Sequence, residues 1–178
     1  MGCIGLRPLG AVERWLLDEL KARIEEVFSR LVRIGATLAL PEFAYNARRR
    51  QFESTPILRS LADVREEDEE AVLGVVDADL YVPHLNFVFG EADPFARAAI
   101  IGLARLRQGF YGLLEDWALL VTRATKEAIH ELGHVYRLGH CRNPHCVMYF
   151  SNTLADTDRK EATFCSDCQA KLPRPKAG

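Results

Sequence analysis

Apolar positions recur along this chain with two different periods, and the switches between them mark its elements. Residues 3–9 alternate loosely and predict a short first strand. Over residues 11–31 the spacing lengthens: Val12, Trp15, Leu16, Leu20, Ile24, Val27 and Leu31 recur at helical intervals, with acidic residues and Lys21 mostly between them. That is an amphipathic helix with one face on a core. Residues 32–40 are β-rich and apolar, and Pro41 stops them. Residues 56–61 predict a short helix, and the acidic run 66–70 the opening of another. Ala-Val-Leu-Gly-Val-Val-Asp at 71–77 is almost continuously apolar, as in a strand central to a sheet. Residues 85–90 and 98–106 predict two more strands. Leu113, Trp117, Leu120, Val121, Ala124, Ala128, Leu132 and Val135 then keep a helical period through one long helix.

The order β-α-β-α-β-β-β-α predicts a mixed sheet with helices, an α+β fold of α/β-like character. From Cys141 onward the periodicity fades and turn residues dominate, so that segment needs a staple to stay folded. The chain accordingly divides into a core over residues 1–140 and a C-terminal segment over 141–178, together one compact domain.

Composition narrows the partners. With 48% hydrophobic and 27% charged residues and a net charge of −2, nothing electrostatic favours nucleic acid or an anionic membrane. No apolar run reaches the length of a membrane span, and the N-terminus lacks a signal-peptide pattern. A cytoplasmic monomer is the default expectation. Arg48, Arg49 and Arg50 in a row read as a solvated turn, and Asp77 with Asp79 as a strand-end turn.

The chemistry concentrates near residue 130. His130-Glu131-Leu132-Gly133-His134 is an H-E-x-x-H run on the long helix, and His140 follows six residues later. Positions i and i+4 share a helix face, so His130 and His134 can aim their rings at one point. Three neutral imidazoles make an open zinc site with the fourth position left to water. Glu131 is placed to take a proton from that water, the arrangement of a metal-assisted hydrolase.

Four of the five cysteines lie in the C-terminal segment as Cys141-x4-Cys146 and Cys165-x2-Cys168. Two short pairs separated by a loop match a four-thiolate structural zinc site of the zinc-finger kind, the staple that the segment needs. His145, inside the first pair, is expected to face solvent. Lys160, Lys171, Arg174 and Lys176 form only a thin basic cluster, so the module reads as structural and not as a nucleic-acid binder.

The run from His130 to Cys141, then Cys146-x-Met148 and Cys165-x-x-Cys168, resembles the archaemetzincins, a branch of the metzincin metalloproteases. Residues 86–92, Arg105-Leu106 and 149–160 resemble them too. The resemblance implies a zinc peptidase of metzincin-type fold. His130, His134 and His140 would hold the catalytic zinc, Glu131 would be the general base, and the four cysteines would hold a second zinc. Met148 would form the turn beneath the histidines. The cleft-bordering strand at 85–90, with Phe87, Val88, Phe89 and Gly90, would pair with a peptide or protein substrate. No oxyanion partner stands out beyond Tyr149 or His84. The chain departs from the pattern at Arg137, where the family has glycine. A strained turn there implies an alternative: a zinc-binding metzincin-like protein with weakened or no proteolytic activity.

Overall fold

The computed structural model describes residues 2–173. β1 (Cys3–Leu9) leads through α1 (Arg14–Phe28) to β2 (Val32–Ile34), and β3 (Tyr45–Asn46) and β4 (Gln51–Glu53) precede α2 (Ser54–Asp63). β5 (Glu69–Val76), β6 (Leu80–Tyr81), β7 (Gly90–Asp93) and β8 (Ala98–Gly102) follow, then α3 (Trp117–Val135), α4 (Leu154–Arg159) and α5 (Ser166–Gln169). The main sheet has the order β2-β1-β5-β8-β7, and β3, β4 and β6 form a small second sheet. β2, β1, β5 and β8 are parallel, whereas β7 runs antiparallel to β8 at the edge.

The alternation along β5 explains its apolar sequence. Ala71, Leu73 and Val75 pack toward α1 and α3, while Val72 and Val76 join Ile57, Leu58 and Leu61 of α2 on the opposite face. Both faces are covered, so no polar position is left over. α1 buries Leu16, Leu17, Leu20, Ile24 and Phe28, while Leu31 lies past its end and is exposed. Cys146, Val147 and Met148 enter the same core as α1 and α3, so the segment after Cys141 packs on the sheet domain.

Several boundaries differ from the sequence pattern. The ladder expected over 32–40 lapses after Ile34, where Gly35 and Ala36 offer no branched side chain, and returns as a single Leu9–Leu38 bridge. The acidic run at 66–70 opens no helix: Arg7 and Arg33 hold Glu66, and β5 begins at Glu69. The strand expected over 98–106 stops at Gly102 before a tight turn at Ala104–Leu106. The long helix starts at Trp117, because Asp116 accepts from Leu119 N at 2.9 Å and caps it. The largest correction is at the cleft. Only Gly90 of the strand expected over 85–90 is in β7; the preceding residues form an irregular lip with one bridge, Leu80–Val88.

Candidate active site

α3 lies along the sheet beside the edge strand β7, and from Leu120 onward it is buried on nearly every side. His130 and His134 bring their Nε2 atoms to 3.1 Å. The other ring nitrogens are occupied: His130 Nδ1 donates to the Val147 carbonyl at 2.7 Å and His134 Nδ1 to the Leu138 carbonyl at 2.8 Å. A ring that donates through Nδ1 keeps the Nε2 lone pair free, so both bare lone pairs face one point. His140 joins them, and the three candidate ligand atoms lie within 4.8 Å of one another. Tetrahedral zinc with bonds of about 2.0–2.1 Å spaces its nitrogens by roughly 3.3 Å, so this donor set fits it. Burial pushes all three imidazoles below their usual range, His130 furthest, which keeps them neutral.

The chain reaches His140 by a tight helix end. Leu138 N bonds Gly133 O at 3.0 Å and Arg137 N bonds His134 O at 2.8 Å, with Arg137 at φ 67°. This is a Schellman cap with arginine where glycine is usual. The Arg137 guanidinium lies 5.3 Å above the Phe95 ring, and the residue is exposed.

Two glycines fit the histidine helix to its surroundings. A Cβ on Gly90 would meet Glu131 Cγ at 2.6 Å and the Ile100 carbonyl at 2.7 Å, so only a bare backbone lets β7 approach Glu131. A Cβ on Gly133 would overlap the buried Met148 thioether, which packs beneath α3 at that position. The spacing of the histidines points to neither contact.

A cleft of about 280 Å³ runs between the lip and Phe150, Ser151 and Asn152, lined also by Glu127, His130 and Glu131. Phe87, Val88, Phe89 and Gly90 all border it. Tyr149 and His84 do not line it; Ser151 and Asn152 do, and the Ser151 hydroxyl is buried without a partner among the described residues. Burial, reinforced by the Glu127 carboxylate, pushes Glu131 well above the usual carboxylate range, against the pull of Lys160. Lys160 belongs to no surface cluster: it is 0% exposed and its Nζ lies 3.0 Å from Glu127 Oε1. Glu127 is one turn before Glu131, so a polar residue on that face of α3 was its only trace in the sequence; nothing signalled Lys160. Arg174 and Lys176 lie outside the described residues.

The four cysteines gather at the far side of His140, their sulfurs within 4.8 Å of one another and Cys141 Sγ 3.8 Å from Cys165 Sγ. Tetrahedral zinc–thiolate bonds of about 2.3 Å space sulfurs by roughly 3.8 Å, so this set also fits zinc. The Cys168 N–H draws the Cys165 thiol down to about 7, while burial pushes Cys146 and Cys168 up. His145 is exposed and outside the cluster.

Comparison with known proteins agrees with this geometry. Residues 10–174 match Peptidase family M54. The archaemetzincin of Methanocaldococcus jannaschii is 48% identical over 95% of this chain and 92% of its own length. That of Pyrococcus abyssi is 43% identical over 98% and 96%. Among solved structures, a zinc-dependent peptidase from Methanocorpusculum labreanum superposes with a TM-score of 0.88 at 30% identity, covering 96% of this chain and all of its own (100%). The Archaeoglobus fulgidus archaemetzincin, solved with malonate, gives 0.82 at 37% identity over 95% of this chain and 99% of its own. Similarity of this extent, over a chain whose histidine and cysteine clusters each fit zinc, makes the chain a member of Peptidase family M54 and a zinc metallopeptidase.

Proposed function

We propose that His130, His134 and His140 hold the catalytic zinc and that Glu131 is the general base for peptide-bond hydrolysis. The observation that carries this is the convergence of the three histidines on one point, with His130 lining the cleft that Glu131 also lines. Zinc bound there supplies Lewis acidity toward water and the substrate carbonyl. Glu131 accepts the proton of the attacking water and returns it to the leaving amine. The Val147 and Leu138 carbonyls hold two of the rings in the tautomer the metal needs. Met148 gives the site a soft apolar floor. The substrate is an extended peptide laid along the lip as far as Gly90, where β7 begins, with Phe87, Val88, Phe89 and Gly90 as its wall.

The Arg137 departure does not favour the inactive alternative. The turn forms at Arg137 with its hydrogen bonds made, and the guanidinium stacks on Phe95. Cys141, Cys146, Cys165 and Cys168 hold a second, structural zinc, giving two ions per chain. The core over 1–140 and the segment over 141–178 act as one compact domain, monomeric and without a nucleic-acid partner. No described helix is long and apolar enough to cross a membrane. A cytoplasmic location suits cysteines that serve as metal ligands, because a reducing compartment keeps thiols from pairing as disulfides.

The test is Glu131→Ala, assayed with a quenched fluorescent peptide alongside metal analysis. Hydrolysis should fall by about 10²–10⁴-fold, the range for a lost acid–base group, with both zinc ions retained. Undiminished activity would remove Glu131 from the mechanism, and loss of zinc would make it a ligand.

A further inference from the structure

The lip of the cleft has no regular secondary structure, yet two of its carbonyls, those of Leu85 and Asn86, are held by side chains from elsewhere. Arg49 Nη2 donates to the Leu85 carbonyl at 2.8 Å and to the Asn86 carbonyl at 2.9 Å. Gln51 Nε2 donates to the same Asn86 carbonyl at 2.9 Å. Of the three consecutive arginines only Arg49 turns inward; Arg48 and Arg50 are exposed. Its guanidinium rests 4.1 Å from the Tyr81 ring centre, and its Nε donates to Gln51 Oε1 at 2.8 Å. The network continues to Asp79, which accepts from Gln51 at 3.0 Å and from Arg105 at 2.6 and 2.9 Å. Arg105 in turn lies 4.2 Å from the centre of the Phe87 ring. The backbone of the lip is therefore fixed by Arg49 and Gln51, and its aromatic wall by Arg105, with Asp79 joining the two.

We infer that Arg49 is a positioning residue for substrate, acting through the lip; this rests on the reading of the cleft as a peptide site. Phe87, at the centre of the lip, has neither its N–H nor its carbonyl hydrogen-bonded among the described residues. Those groups are open to a peptide backbone, and backbone pairing demands that they stay in register. Backbone bonds to β6 and β8 hold the lip only from Val88 onward, so the order of Leu85 and Asn86 comes from side chains. A guanidinium suits the task because Nη2 holds both carbonyls while Nε of the same flat group holds Gln51, a second direction that an ammonium's single point charge does not fix. The cost of leaving the lip to order itself falls on binding, and only on ligands long enough to touch it.

Two inhibitors separate the lip from the metal. Acetohydroxamic acid reaches the zinc alone, whereas a tripeptide hydroxamate reaches the zinc and runs along the lip. Calorimetric titration of zinc-loaded Arg49→Ala should show about tenfold weaker binding of the peptide hydroxamate, the scale of a lost charged hydrogen bond. Acetohydroxamic acid should bind as to wild type. Arg49→Lys should fall between. Amide exchange at residues 85–89 should quicken in the alanine variant, with or without metal. Equal weakening of both inhibitors, or no weakening with unchanged exchange, would overturn the assignment. Wild-type protein that binds neither hydroxamate would instead overturn the peptidase reading, and the exchange measurement would still decide whether Arg49 orders the lip.

Discussion

At the scale of single residues, Arg137 shows how magnitudes settle a question that spacing raises. An L-residue in the left-handed region costs roughly 1–2 kcal/mol, which by itself suggests a loosened third histidine. Two effects oppose relief by glycine. The contact with Phe95 is worth about 0.5–1 kcal/mol at an exposed site, and glycine gives the unfolded chain about 0.4–1 kcal/mol more entropy. Arg137→Gly should therefore leave stability within about 0.5 kcal/mol of wild type, by this balance, and zinc affinity within about threefold. A calorimetric zinc titration of the two proteins checks it, and a tenfold gain in the variant would mean that strain at Arg137 does limit the site. The histidines and cysteines were legible because each set lies close in sequence, two histidines on one helix with the third just past its end and the cysteines in two short pairs, where spacing restricts geometry. Gly90 and Gly133 were not, because what they accommodate, Glu131 and Met148, comes from another element. The lone position of Met148 in its turn could be read only through the family likeness.

At the scale of elements, the helix period was legible and the irregular lip was not. Leu-Asn-Phe-Val-Phe has the composition of a strand, but the carbonyls of Leu85 and Asn86 bond side chains of Arg49 and Gln51 instead of a neighbouring strand. α4 was equally hidden, since its attachment to α3 is made by charged groups that look solvent-facing in sequence. Arg123 grips Asp158 through two bonds of 2.7 Å, Lys126 Nζ donates to the Thr157 and Asp158 carbonyls at 3.1 and 3.0 Å, and Thr157 Oγ1 donates to Glu127 at 3.0 Å. Lys160 completes the set against Glu127, as a close charge pair without an aligned hydrogen bond. This network holds the chain that follows Ser151 and Asn152, the lower wall of the cleft. Removing one partner of a buried pair leaves a bare charge and costs about 3–5 kcal/mol, whereas replacing both with apolar groups is often close to neutral. Lys160→Ala should lose that much in denaturant unfolding, and Lys160→Met combined with Glu127→Leu should recover most of it. A loss below about 1 kcal/mol in the single variant would show that Glu127 readily takes up a proton or water in place of its partner.

At the scale of the whole molecule, the proposed histidine and cysteine zinc sites would divide the work of chemistry and stability. Of the histidine cluster, His130 lines the cleft and His140 is exposed, and the helix that carries His130 and His134 is packed into the core through Leu120, Ala124, Ala128 and Ile129. The cysteine cluster has Cys146 and Cys168 buried, and among the described residues the segment around it has only short elements: α4, α5 and the Cys141–Tyr149 bridge. Burial keeps the Cys146 and Cys168 thiols protonated without metal, so zinc must displace protons to bind and its hold weakens as pH falls. A structural zinc of this kind contributes on the order of 10 kcal/mol of folding free energy. A chelator should accordingly strip the protein in two phases. The first should release one zinc per chain and abolish peptide hydrolysis with the far-ultraviolet spectrum unchanged. The second, slower phase should release the other zinc together with loss of the C-terminal fold. Cys165→Ser should lose the slow phase and melt far below wild type. It should also bind the first zinc more weakly, because Cys141 adjoins His140 and its N–H holds the Met148 carbonyl at 2.8 Å. Release of both ions in a single phase with the fold intact, or a Cys165→Ser protein that melts like wild type with two zinc ions bound, would refute this division between the clusters.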